Sequence, residues 1–425
     1  MKNLKIIGII GLFLFLSISC EKSKDTKPDD KNIEYIEIEL NQKEKSLIQS
    51  SNQFGFDFFE KLNNLEEEDK NLFISPLSIS LALAMTYNGA EGETKTAMEE
   101  TLKLNGLTTD EINSSFQNLI NALITVDPKI LLNIANSIWY NNKYTVEQDF
   151  IDVNKKYYDA EVSPLDFSDP ASLDIINNWV AEKTNDLIQN IIDNIPADAY
   201  MYLINTIYFK GMWKHEFDKE NTSDYPFNFI DGTSGLIPMM VQKETLKYVK
   251  QDVFSAVDLP YGCNNFSMFI MLPNTGYTTN DVIDNLNETN WNSWLSELTE
   301  TENIQVYLPK FKFEYKYTCD ASCPLKNVLA LMGMGIAFSP DADFSGMNPN
   351  LALYISRVIH QSFIEVNEEG TEAAAATVVE VCNTSSGENE NATYFRINKP
   401  FVFAIREKST NAILFMGKVV KPVNE

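Results

Sequence analysis

Histidine is nearly absent from this chain, with His215 and His360 the only two, and cysteine is sparse at five. Cys319 and Cys323 lie close together but have no further ligands nearby, so a metal centre is not expected. No G-x-S-x-G elbow surrounds Ser75 or Ser78, the serines that would have to work with His360 in a hydrolase. Basic residues are also scarce: 34 Lys+Arg face 60 Asp+Glu, a formal net charge of -26. That balance excludes binding to a nucleic-acid backbone, which needs clustered Lys and Arg. No period of 20 to 50 residues repeats, and no long Gly/Ser linker divides the chain, so one large domain over residues 43–425 is expected.

Apolar material is plentiful, with 44% hydrophobic and 12% aromatic residues, enough for a large core. The first apolar run, Ile6 to Phe15, follows Lys2 and Lys5 and ends in small residues before Cys20. It is too short to span a bilayer comfortably and reads as an export signal over residues 1–19. A cysteine directly after Ile18-Ser19 resembles a bacterial lipobox, with Cys20 as the lipidated residue, although Ser17 stands where leucine is usual. The plainer alternative is an ordinary signal peptide with an incidental cysteine. Residues 20–42, rich in Lys, Asp and Glu, read as a tether.

Periodicity then places helices at 43–62, from Pro76 to Gly89, from Gly92, and at 110–124, 147–158, 171–192, 279–298 and 325–332. Strands are expected at 71–76, 130–140 and 200–209, in short pieces from 223 to 272 (236–241 and 245–250 among them), at 303–317, and at 359–367, 392–397, 400–406 and 412–419. Helices and strands mix without strict βαβ order, so the fold class is α+β. Asn205 is the one polar member of an apolar strand and marks an internal hydrogen-bond network.

Several separated stretches resemble the serpin family, over about residues 45 to 423. They are Asn71-Leu-Phe-Ile-Ser-Pro-Leu-Ser-Ile-Ser80, Asn205-Thr-Ile-Tyr-Phe-Lys-Gly-Met-Trp213, Leu308-Pro-Lys-Phe311 and Ala342-Asp-Phe-Ser-Gly346. Gly370-Thr-Glu-Ala-Ala-Ala-Ala-Thr377, Asn398-Lys-Pro-Phe-Val-Phe403 and Phe415-Met-Gly-Lys-Val419 complete the set. The resemblance implies three β-sheets, eight to nine helices, no cofactor and an exposed reactive-centre loop over about 368–391. It also implies shutter and breach positions at Ser75, Ser78, Asn205, Trp213 and His360. The hinge would comprise Glu368, Gly370, Thr371, Glu372, Ala373, Ala374, Ala375, Ala376 and Thr377. Two stretches depart from the family pattern: extra residues holding Cys319 and Cys323, either a local disulfide or free thiols, and an extended Ser386–Ala392.

The hinge satisfies a physical requirement of its own. Alternate strand residues face opposite sides. Thr371, Ala373, Ala375, Thr377, Val379 and Val381 are uncharged and can face inward, while Glu372 and Glu380 fall in the solvent-facing set. An unpaired charge in the first set would cost several kcal/mol. The activity so implied is suicide-substrate inhibition of serine proteases, with cysteine proteases as a further class. The target attacks the bait carbonyl, and loop insertion traps the acyl-enzyme. Family spacing places the reactive bond at Thr384–Ser385, with Cys382, Asn383 and Glu388 as alternatives. No Lys or Arg occurs between Thr371 and Tyr394, which favours elastase-like or subtilisin-like targets over trypsin-like ones. The expected protein is a monomer, exported, and held at the bacterial envelope only through Cys20. A non-inhibitory binding or chaperone-like serpin is the alternative, and a Ser-His hydrolase a remote one.

Overall fold

Capping and apolar spacing set the helices. The computed structural model describes residues 35–196, 198–316, 324–371 and 393–422. The first helix, α1 (Gln42–Leu65), starts at Asn41, whose side chain accepts from the Lys43 and Glu44 amides while Glu44 accepts from Asn41. It buries Leu47, Phe54, Phe58 and Leu62 along one stripe. Then come α2 (Pro76–Tyr87), α3 (Gly92–Thr101), α4 (Thr109–Thr125), α5 (Gln148–Tyr158) and α6 (Ala171–Lys183). The remaining helices are α7 (Thr279–Asp284), α8 (Glu288–Ser296) and α9 (Pro324–Leu331).

The strands are β1 (Leu72–Ile74), β2 (Ile130–Asn141), β3 (Glu161–Leu165), β4 (Met201–Met212), β5 (Ser223–Asn228) and β6 (Ser234–Lys250). After them run β7 (Phe254–Pro260), β8 (Phe266–Pro273), β9 (Thr299–Pro309), β10 (Phe311–Lys316) and β11 (Gln361–Val366). The last are β12 (Gly370–Thr371), β13 (Thr393–Arg396), β14 (Phe401–Glu407) and β15 (Ile413–Val419). One sheet has the order β10-β11-β12-β4-β2-β3, and the other runs β1-β15-β14-β8-β7-β6-β9-β13 with β5 on β6. Long β6 joins two halves of that second sheet. Its end (Lys247 to Lys250) pairs with β7, its start (Ser234 to Met239) with β5, and most of its length with β9 across a register shift. The resemblance implied three β-sheets; the described strands form two hydrogen-bonded sheets, because β6 runs continuously from its pairing with β5 to its pairing with β7 and joins what would otherwise be separate sheets. Every residue of β14 and β15 is buried, as two central strands require.

Four expected boundaries differ. The helix expected to 192 stops at Lys183, because Asn185 and Asp186 take positive φ and Thr184 caps the last carbonyls. The stretch 279–298 is two helices, each with its own N-cap, Thr278 and Asn287. The pieces 236–241 and 245–250 are one strand, since the polar Lys243–Thr245 break is a bulge rather than a turn. The strand expected from 359 begins at Gln361. Residues 35–41, assigned to the tether, lie against the body: the Ile36 amide donates to Asn265 Oδ1 and the Ile38 amide to Ser409 Oγ. Their alternation of Ile36, Ile38 and Leu40 explains it, because Ile38 and Leu40 pack on the core.

Candidate functional site

The six-stranded sheet contains a slot. Between β11 and β4 lies only β12, two residues long, with Thr371 opposite both Val366 and Gly211 and Gly370 opposite Met212. Below Thr371, no pairing joins β4 to β11 among the described residues, while the other edge of β4 pairs continuously with β2. Residues Leu353 to Ile359, which lead into β11, lie outside any strand. A small cavity of about 20 Å³ lies beside Thr371, lined by Ile207 to Phe209 of β4 and Phe363 to Glu365 of β11. A larger one of about 140 Å³ lies further down, between Tyr200 to Ile204 and Leu353 to Ile359, over Ala82 and Leu83 of α2.

The upper end of the slot is densely bonded. Asn367 turns the chain: its amide donates to the Gly370 carbonyl and its Oδ1 accepts from the Glu369 and Gly370 amides. A Cβ on Gly370 would meet the Gly211 carbonyl at 2.1 Å, so this close approach of backbones requires glycine. Trp213 donates its amide to the Glu369 carbonyl and its indole Nε1 to the Asn367 carbonyl, both at 2.9 Å. It stacks on Tyr261 at 4.4 Å, and the Tyr261 hydroxyl bonds Thr371 Oγ1 at 2.6 Å. Buried Glu368 accepts from Lys310 at 2.8 Å and from Thr222 at 2.8 Å. Burial pushes its carboxyl up, but Lys310, its own amide and Thr222 together hold it below the ordinary range. Lys219 pairs with Glu369 at 2.6 Å on the surface.

The middle of the slot is held by a sparser network. The Ser75 amide donates to His360 Nε2 at 3.1 Å, and Ser75 Oγ donates to the Leu414 carbonyl at 2.7 Å. Ser75 also caps α2 by accepting from the Ser78 amide. Burial alone takes His360 down to about 4, so it is neutral, with its proton on Nδ1. Ser78 Oγ reaches the Asn205 carbonyl at 3.5 Å. Asn205 is partly buried; its Nδ2 donates to Asn136 at 2.7 Å, whereas its Oδ1 has no partner. Since Ser75 offers His360 an amide and spends its hydroxyl on Leu414, the pair lacks nucleophile–base geometry.

Thus Ser75, Ser78, Asn205 and His360 meet at mid-slot, while Trp213, Glu368, Gly370 and Thr371 meet at its upper end. Glu368, expected in the hinge, is buried here and bonded to both Lys310 and Thr222. Glu372, Ala373, Ala374, Ala375, Ala376, Thr377, Thr384 and Ser385 lie outside the described residues, as do Cys20, Cys319 and Cys323. Among the described residues Cys263 is buried, and its amide donates to Asp127. Two contributors carry little mark in the sequence. Tyr261 follows β7 and precedes a glycine, a common pattern, and only its contacts with Trp213 and Thr371 give it meaning. Lys310 stands inside Leu308-Pro-Lys-Phe311, whose lone cation after an apolar strand is the one signal of a buried acidic partner.

Comparison with known proteins gives consistent findings. Residues 49–422 match the family model described as Serpin (serine protease inhibitor). Serpin B13 of Homo sapiens is 34% identical over 400 residues, covering 89% of this chain and all of that protein. Among solved structures, the thermophilic serpin tengpin in its native state superposes with a TM-score of 0.78 at 32% identity, covering 91% of this chain and 96% of its own. A thyroxine-binding globulin complexed with thyroxine gives a TM-score of 0.78 at 29% identity, covering 89% of this chain and 100% of its own.

Proposed function

This chain belongs to the serpin family, and we propose that it inhibits serine proteases as a suicide substrate, with the cleaved loop entering the slot between β4 and β11. The observation that carries the reading is the two-residue β12: Gly370–Thr371 already sits between β4 and β11, and among the described residues no pairing joins those strands below it. Each further residue that enters adds ladder bonds to β4 and β11, worth about 0.5–1.5 kcal/mol net apiece. Filling the cavities beneath adds apolar burial at about 25 cal/mol per Å². Roughly fifteen inserted residues at about 3.3 Å each would carry an attached protease some 50 Å along the sheet. Thr371 is 4% exposed and supplies the first inward side chain. The uncharged residues at alternate positions after it continue that requirement. A protease displaced in this way loses its oxyanion-hole geometry before the ester is hydrolysed.

Incubation with elastase-like, subtilisin-like and trypsin-like enzymes tests this directly. The expected result is an SDS-resistant complex with one of the first two and a released fragment beginning at Ser385. Cleavage without any complex would overturn the inhibitory reading; a different fragment start would move only the bond. Export and lipidation at Cys20 belong to the same proposal, and a Cys20→Ser variant recovered in the soluble fraction, with wild type in the membrane fraction, is the expected readout.

A second reading, a ligand-carrying serpin that does not inhibit, has one observation in its favour. A cavity of about 510 Å³ is lined by Tyr35, Lys247, Arg406 and Lys408, and a solved relative carries thyroxine. Burial lowers Lys408 to about 8, and Arg406 Nε is buried without an acceptor. A protein that is only cut by proteases, while an anionic aromatic compound protects it against heat, would favour this reading.

A further inference from the structure

A second, separate cluster of positive charge sits at the strand that follows the loop. Strand β13 is the edge of its sheet and is held by a four-residue parallel ladder to β9. A cavity of about 280 Å³ opens between it and the body. One wall is Tyr394, Phe395 and Arg396 of β13 with Lys399 just beyond; the facing wall includes Tyr248 and Asn274. Among the described residues no carboxylate lines this cavity. Lys399 is partly buried and makes no ion pair among the described residues. Burial depresses its ammonium accordingly. Arg396 is fixed in place by two aromatic faces, Tyr394 at 4.5 Å and Tyr307 at 5.3 Å. Two cations, one held between aromatic faces and one partly desolvated with no ion pair among the described residues, therefore line a void with aromatic walls.

The geometry points to a binding site for a small phosphate- or sulfate-bearing ligand, its anion between Arg396 and Lys399 and its ring or apolar part against Tyr248, Tyr394 and Phe395. Such a ligand would bridge edge strand β13 to β6 and to the turn after β8. This has a consequence that rests on the loop-insertion reading. An uncut loop is tied at Thr371 and at Thr393, so it enters the sheet only if β13 leaves β9 and supplies chain. A ligand that pins β13 slows that inactivating step and leaves the cleaved-loop reaction untouched, because cutting frees the upstream segment from β13.

Calorimetry on the full chain with inorganic phosphate, sulfate and phenyl phosphate tests the site. Ionic strength is held constant with chloride. Saturable binding is expected in the millimolar range for the inorganic ions and about tenfold tighter for phenyl phosphate, through the aromatic walls. Lys399→Gln should weaken all three at least tenfold. Lys408→Gln, in the other cationic cavity, should leave them unchanged. Equal phosphate and sulfate binding with no gain for phenyl phosphate would reduce the site to a bare anion site and overturn the ring assignment. Absence of saturation, or loss in Lys408→Gln instead of Lys399→Gln, would overturn the site itself. Coupling is read separately, as the half-life of the uncut inhibitor at 37 °C. Saturating phenyl phosphate should lengthen it at least twofold in wild type and not in Lys399→Gln. An unchanged half-life despite binding would sink the coupling alone. Failure to form any protease complex would sink the inhibitory reading and leave the binding result standing.

Discussion

The two ends of the slot between β4 and β11 are built differently. At the upper end, Trp213, Tyr261, Lys310 and Asn367 satisfy nearly every group that Glu368 to Thr371 present. Further down, His360 accepts one amide, Asn205 leaves its carbonyl oxygen without a donor, and a cavity of about 140 Å³ separates β4 from residues 353–359. On the proposed reading the upper end is already in its inserted arrangement, and the described residues lower down are not. Under the proposed insertion, ladder bonds still to be made and space still to be filled would supply the free energy. On that reading the satisfied groups mark where entry would start, and the unsatisfied ones what would drive it.

A charge at the first inward position should break this arrangement most severely. Thr371→Glu places a carboxylate where Tyr261 and the sheet allow no water, at a cost on the order of 3 kcal/mol or more. Residues 370–371 should leave the sheet, and SDS-resistant complex should vanish in favour of simple cleavage of the loop. Complex formation at the wild-type level would show that entry does not begin at β12.

Acid should act on the middle of the slot. His360 has its pKa lowered by burial to about 4, against about 6.5 when unfolded. The native state therefore binds fewer protons than the unfolded chain between those values. Its stabilising share is complete above pH 6.5 and is lost as pH falls through 4. Between pH 7 and pH 5 the loss is about 2 kcal/mol, read as a drop in the urea midpoint that His360→Gln should not show. An equal drop in both proteins would place the acid sensitivity elsewhere.

Removing the anchor at the upper end should cost less. Glu368→Gln keeps the Thr222 bond but leaves Lys310 without its partner, and since Lys310 is partly exposed the loss is about 1–2 kcal/mol. The expected outcome is a lower urea midpoint with the protease complex still formed, because β12 remains held by Trp213 and Tyr261. Loss of complex at unchanged stability would instead make Glu368 part of the moving machinery.

What was readable in the sequence divides along the same line. The helices from α1 to α5, strands β2 and β4, and Asn205 carry local signals (caps, apolar runs and a polar residue in an apolar strand), whereas Ser75, Ser78, Trp213 and His360 were placed only by family resemblance. Their contacts were not readable, because Tyr261 meets Thr371 and Lys310 meets Glu368 only through the sheet order. The slot itself has no local signature. Residues Leu353 to Ile359 are as apolar and β-branched as a strand, yet no described strand pairs with them, so propensity alone did not reveal their state. The bulge in β6 and the early end of α6 were missed for a related reason: polar residues mark both turns and irregularities inside an element.

The smallest effect should come from filling the lower cavity. Ala82 on α2 lines it, and Ala82→Leu adds three carbon atoms to a void that already has apolar walls. The native state should gain about 0.5–1 kcal/mol, seen as a higher urea midpoint. The same atoms occupy space that an inserting strand and its side chains need, so the native state gains and the inserted state does not. Insertion then slows relative to deacylation, and more inhibitor should be consumed per protease trapped, measured as a stoichiometry of inhibition above the wild-type value. If stability rises while the stoichiometry stays fixed, the lower cavity lies off the insertion path. The driving force would then reside in the unmade ladder bonds alone.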